Sequence, residues 1–163
     1  MHDNVPMATL ERAGDGTTSE VRRLSTLLDV SRALSSTLDL KAALHNVLEI
    51  LGKHHGAVRG MIALLNEDTR DLHVEATDGL IRAGTRARYA VGEGITGRVV
   101  ETGKPIVVPR VSREPLFLNR ASDRPELARQ ELSYICVPIT LNRKAIGALG
   151  VDLRFKGDRD YDR

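Results

Sequence analysis

Aromatic side chains are scarce in this chain of 163 residues, which has no Trp, three Tyr and two Phe. Stacking platforms for single-stranded nucleic acid and cages for cationic ligands both need more of them. Cysteine is scarcer still: a single thiol, Cys136, excludes an intrachain disulfide framework. Neither sign of charge prevails, since 24 Lys and Arg face 22 Asp and Glu for a formal net charge of +2. The arginines are scattered rather than gathered on one stripe, so sequence-independent DNA binding has no support. No apolar run reaches the length of a membrane helix, and the N-terminus lacks the apolar core of a signal peptide. We therefore expect a cytoplasmic protein that touches neither nucleic acid nor membrane through this chain.

The length fits one domain with a substantial core. Residues 1–18 are polar, carry Pro6, Gly14 and Gly16, and read as a flexible leader. The first ordered element is expected near Ser19, where Val21, Leu24, Leu27, Leu28, Ser31 and Leu34 fall close to helical spacing. Asp39 is a good N-cap for a second helix, whose buried face is predicted as Leu40, Leu44, Val47, Leu48 and Leu51, with Gly52 or Gly56 ending it. The period then changes. Met61–Leu65 and Leu72–Thr77 read as paired strands around a polar turn, and Arg88–Val91 as a third, short strand. Ile106–Val108 lies between Pro105 and Pro109, which suits an edge strand. A long connection runs from Arg110 to Arg124, and a helical turn is expected from Pro125 to Gln130. Ser133–Leu141 and Ala145–Leu153 close the domain as a hairpin on a tight turn at Asn142–Lys144. Hairpins after helices predict an α+β class, an antiparallel sheet with N-terminal helices on one face. We divide the chain into a leader (1–18), a domain (19–153) and a charged start of a linker or of a truncated C-terminal helix (154–163).

Gly92, Gly94 and Gly97 spell G-x-G-x-x-G, with Glu114 about twenty residues beyond, the outline of a dinucleotide-binding fingerprint. The fingerprint needs a strong buried strand and a helix long enough to cross over to a parallel one. Here Gly103 caps the helix and Pro105 forbids its continuation. The glycines are better read as a structural turn into a short helix. No cofactor is expected.

Three motifs in order carry a family resemblance. Gly92–Gly97 with Val99, Val100 and Gly103-Lys-Pro105, then Cys136-Val-Pro-Ile139, then Ile146-Gly-Ala-Leu-Gly150 resemble the turn, helix and strands of GAF domains. More narrowly, Tyr89–Gly97, Pro105–Val108 and Glu114–Arg120 are similar to the N-terminal GAF domain of the NifA-type, sigma-54-dependent activators of nitrogen-fixation genes. The resemblance implies a GAF (PAS-related) fold, a regulatory domain that restrains a central ATPase domain of the same protein, and homodimers. It implies relief through a PII-type nitrogen signal protein, a partner flavoprotein or a small molecule. It places a ligand pocket or gate at Tyr89, Arg98, Phe117, Asn119, Arg120 and Tyr134, where Arg98 and Arg120 could fork onto a carboxylate or phosphate. The apolar stripe of the first helix, Leu24, Leu28 and Leu34, is the expected dimer or interdomain surface. The alternative is a small-molecule-binding GAF module of a histidine kinase or a cyclic-di-nucleotide enzyme.

Catalysis and metal binding find little footing. Cys136 sits in an apolar strand and reads as a small buried side chain, without the resolving cysteine that GAF-like methionine sulfoxide reductases use. His45, His54 and His55 match no metal-ligand spacing and read as solvent-facing helix-end histidines. Asp158, Asp160 and Asp162 imitate a calcium loop, but Arg163 occupies the position of its glycine. No Ser/His/Asp set can be assembled, so we expect no catalytic residues and no metal site.

Overall fold

A computed structural model of the chain describes residues 8–35, 39–79, 87–118 and 131–157. Its elements are α1 (Ala8–Ser35), α2 (Leu40–His55), β1 (Ala57–Leu65), β2 (Asp71–Asp78), β3 (Arg88–Ala90), α3 (Gly94–Thr102), β4 (Ile106–Val108), a 3-10 turn (Val111–Arg113), β5 (Leu132–Leu141) and β6 (Lys144–Arg154). Six strands form one sheet in the order β3-β2-β1-β6-β5-β4, and every neighbouring pair is antiparallel. The α+β class and each predicted strand are present. The helical turn expected at 125–130 lies outside the described residues.

Both faces of the sheet are covered, which explains the run of four buried residues in β1, Gly60–Ala63. On one face α2 lays Leu44, Val47 and Leu48 over Ile62 and Ala76. On the other, α3 lays Ile95, Val99 and Val100 over a larger core that includes Met61, Ala63, Val74, Tyr134, Cys136 and Ala148. The alternation of β2 hides a feature. Leu72, Val74 and Ala76 read as one face, yet Ile62 pairs with Ala76 and Ala63 with Val74. Glu75 is the extra residue of a bulge, so Leu72 and Val74 join the α3 core while Ala76 joins the α2 core.

Helix ends follow their sequence signals. The Asp39 carboxylate accepts the backbone N–H groups of Lys41 (2.9 Å) and Ala42 (3.4 Å). Gly56 closes α2 in the left-handed region at φ 68°, its N–H bonded to the Gly52 carbonyl. Two expectations are corrected. Helix α1 begins at Ala8 and runs through Gly14 and Gly16, where a leader was expected as far as Thr18. Leu40 is 57% exposed rather than part of the buried face of α2, because it occupies the first helical position, before that face reaches the sheet. Ala43 takes its place in the core.

Helix α1 packs on α2 through Val30, set against the α2 core, and through polar groups. Thr26, only 8% exposed, donates its hydroxyl proton to the Arg22 carbonyl at 2.9 Å, leaving its oxygen to accept from His55 Nε2 at 2.9 Å. His54 Nε2 meets Asp29 at 3.1 Å. His45 Nδ1 reaches the Thr77 carbonyl of β2 at 3.1 Å. His45 and His55 are exposed, as expected of helix-end histidines, and His54 is half-buried; each also joins two elements. With that seam facing α2, the apolar stripe of α1 faces outward: Val21, Leu24, Leu27 and Leu28 are 61%, 61%, 66% and 57% exposed.

Candidate functional site

The glycine-rich turn between β3 and α3 organises one side of the site. Gly92 and Gly94 hold φ of 85° and 60°, a region closed to most side chains. A Cβ on Gly97 would collide with the Ala90 carbonyl oxygen, so the first turn of α3 presses directly on the strand before it. Glu93 closes the loop by accepting the Ala90 N–H at 2.9 Å. Helix α3 then stops at Gly103, φ 65°. A short helix over an antiparallel sheet is not the crossover that a dinucleotide fingerprint requires.

Beneath α3 lie three of the predicted pocket residues. Tyr89 is 5% exposed, its hydroxyl 4.0 Å from Met61 Sδ. Tyr134, also 5% exposed, meets Phe117 edge to face, with ring centroids 4.9 Å apart and planes at 82°. Its hydroxyl lies over Gly150, where any Cβ would collide with it. There the hydroxyl has Thr96 and Cys136 as its side-chain hydrogen-bond partners. Burial pushes the Tyr134 phenol well above its usual value, and the neighbouring Cys136 and Asp152 add to the shift. Burial likewise pushes the Cys136 thiol up to about 12, away from the thiolate that redox or nucleophilic chemistry would need. Asp152, the register partner of Tyr134, is itself 5% exposed.

The structure thus brings Tyr89, Phe117 and Tyr134 into one core and leaves Arg98 exposed on α3. Asn119 and Arg120 lie outside the described residues. Sequence reasoning passed over Thr96 and Asp152, the buried polar partners of this core. An acid in the otherwise apolar run Gly150-Val-Asp-Leu153 was the available signal.

Among the described residues, two surface grooves lie beside the core. One of about 440 Å³ lies between the two hairpin turns and the end of α3, and one of about 360 Å³ lies beside Arg110, Arg113 and Phe155. In the second, the Arg110 guanidinium stands 4.5 Å from the centre of the Phe155 ring. Nearby, Ser112 donates to the Glu131 carboxylate at 2.6 Å, a bond that holds this carboxyl below its usual value.

The order of strands, the helix α2 on one face and the glycine turn with its short helix on the other define a sensory-module architecture, and the family model described as GAF domain matches residues 37–163. The chain belongs to the GAF-domain family. Within it, the chain is 41% identical over 106 residues to the nitrogen fixation protein VnfA of Azotobacter vinelandii, covering 63% of this chain and 20% of that protein. It is 38% identical over 129 residues to the Nif-specific regulatory protein of Herbaspirillum seropedicae, covering 78% and 24%. To that of Azospirillum lipoferum it is 42% identical over 95 residues, covering 58% and 15%. The chain therefore spans about a fifth of the length of these curated relatives. Among solved structures, the A. aeolicus nlh2 GAF domain in an inactive state superposes with a TM-score of 0.72 at 22% identity, covering 85% of this chain and 83% of that one. A free methionine-R-sulfoxide reductase from Neisseria meningitidis has a TM-score of 0.67 at 19% identity, covering 97% and 83%. These likenesses show the fold alone.

Proposed function

We propose that this chain is the sensory domain of a Nif-specific, sigma-54-dependent activator, and that it restrains a neighbouring ATPase domain until nitrogen status relieves it. The signal would arrive through a PII-type partner or a small ligand, in the cytoplasm. The observation that supports this most is the identity to VnfA and the Nif-specific regulatory proteins, which runs through the sheet and the glycine turn rather than one short motif. A regulatory rather than catalytic role fits the single thiol, buried and pushed up to about 12. Restraint and release are two states of one protein, and a partner shifts their balance only by binding one more tightly than the other. Where a ligand acts, the aromatic core beneath α3, gated by Arg98, Asn119 and Arg120, is the proposed place for it. The outward stripe of α1 is the proposed dimer surface: Val21, Leu24 and Leu28 follow the i, i+3, i+7 spacing of a coiled-coil seam.

The reading frame beyond Arg163 provides the first check. A Walker-type ATPase followed by a helix-turn-helix carries the reading, whereas a kinase or cyclic-di-nucleotide module keeps the GAF domain and rejects the nitrogen-fixation role. In the protein that carries it, deleting 1–163 is expected to raise ATP hydrolysis without a nitrogen signal. Unchanged hydrolysis would reject the restraint.

A further inference from the structure

The 440 Å³ groove has no part in the regulatory reading, and its size suits a small molecule. Arg70 comes to it from the turn after β1, Arg143 from the turn between β5 and β6, and Lys144 from the first position of β6. Val100 of the core, together with Leu65 and Val91 packed against that core, supplies its apolar wall. Glu101 is the acidic side chain on its α3 side.

The cations stand on fixed backbone. In the first turn the Asn66 side chain accepts the N–H groups of Asp68 (3.0 Å) and Thr69 (3.1 Å), while the Arg70 N–H bonds the Asn66 carbonyl at 2.9 Å. In the second, Asn142 and Arg143 hold φ of 51° and 66°, the pattern of a two-residue type I′ hairpin. Lys144 and Glu67 approach to 3.9 Å and link the two turns.

Arg70, at φ 61°, and Arg143 both occupy left-handed positions, where turn chemistry favours Gly or Asn. Backbone geometry does not account for arginine at either position; both arginines, exposed on their turns, line this one groove with Lys144.

We infer that this groove binds a small organic phosphate, its dianionic head between Arg70, Arg143 and Lys144 and its apolar body on Leu65, Val91 and Val100. Guanidinium forks match phosphate oxygens in pairs. The Glu101 carboxylate and the negative end of the α3 dipole disfavour the head on the opposite side, which fixes the ligand's orientation. The site belongs to the chain whatever output the domain controls.

Titration of the 163-residue chain with phenyl phosphate at low ionic strength, followed by calorimetry and amide chemical shifts, tests this. Saturable binding is expected, with inorganic phosphate and phenol each weaker by about tenfold or more. The largest shifts should fall at Arg70, Gly103, Arg143 and Lys144. The double variant Arg70→Asn/Arg143→Asn keeps residues that tolerate the left-handed region and should lose about tenfold or more in affinity. Lys53→Ala, on α2 across the sheet, should bind as the parent does. Absence of saturable binding, equal affinity for inorganic phosphate, or undiminished affinity in the double variant would overturn the inference. So would shifts centred on Arg98 and Phe117, a result that needs no variant to fold.

Discussion

Tyr134 and Gly150 form a pair in which each residue sets the limits of the other. The hydroxyl occupies the space a Cβ at 150 would need, so Gly150→Ala is expected to cost about 1–3 kcal/mol through overpacking. Tyr134→Phe removes that hydroxyl and its bonds to Thr96 and Cys136, at a cost of about 1 kcal/mol. Combined, the two changes should cost clearly less than their sum, because the second relieves the clash made by the first. Urea denaturation of the four proteins reads the coupling, and simple additivity would contradict the geometry. Cys136, with no exposed surface and its thiol pushed up to about 12, should resist alkylation at pH 8 in the native chain and react once urea unfolds it. Rapid labelling without urea would show that the thiol is accessible.

Among the elements, the α1–α2 seam carries a pH dependence of its own. Burial holds the His55 pKa below its ordinary 6.5, and the charges of His54, Arg22 and Arg23 add to this. A histidine depressed in the folded state contributes stability above 6.5, and that contribution is lost as pH falls from there toward the folded value. The melting temperature should therefore drop between pH 7.5 and 5.5, and drop less in His55→Gln; an equal drop in both would clear His55 of the effect. Strands and caps were legible because alternation, Asp39, Gly56 and Gly103 act locally, within a few residues of sequence. The seam was not, because nothing near His55 announces a hydroxyl 29 residues upstream. The bulge at Glu75 was hidden for a related reason: the alternation of β2 is unbroken in sequence, and only its partner shows the shift. Of the candidate pocket, the aromatic members could be placed by their apolar neighbours, whereas the position of Arg98 depends on which side of α3 meets the sheet.

For the molecule as a whole, an uncovered apolar feature among the described residues is the outer stripe of α1. If it pairs with its copy, Leu24→Glu with Leu28→Glu should raise the dimer dissociation constant by about tenfold or more, since each buried leucine contributes about 1.5–3 kcal/mol. Sedimentation equilibrium would show it, and an unaltered mass would place any dimer contact elsewhere. The double variant should keep its fold, because neither side chain belongs to a core.

The sheet order carries a mechanical corollary. Strands β1 and β6 are neighbours at its centre, although most of the domain separates them in sequence, and Ala57, at the start of β1, pairs with Leu153, near the end of β6. The chain therefore comes into the sheet and leaves it at the same end. Tension between these two points would load the hydrogen bonds of the central pair one after another, like the teeth of a zip, instead of all together in shear. A pull on one side of the domain would be felt first in the middle of its sheet.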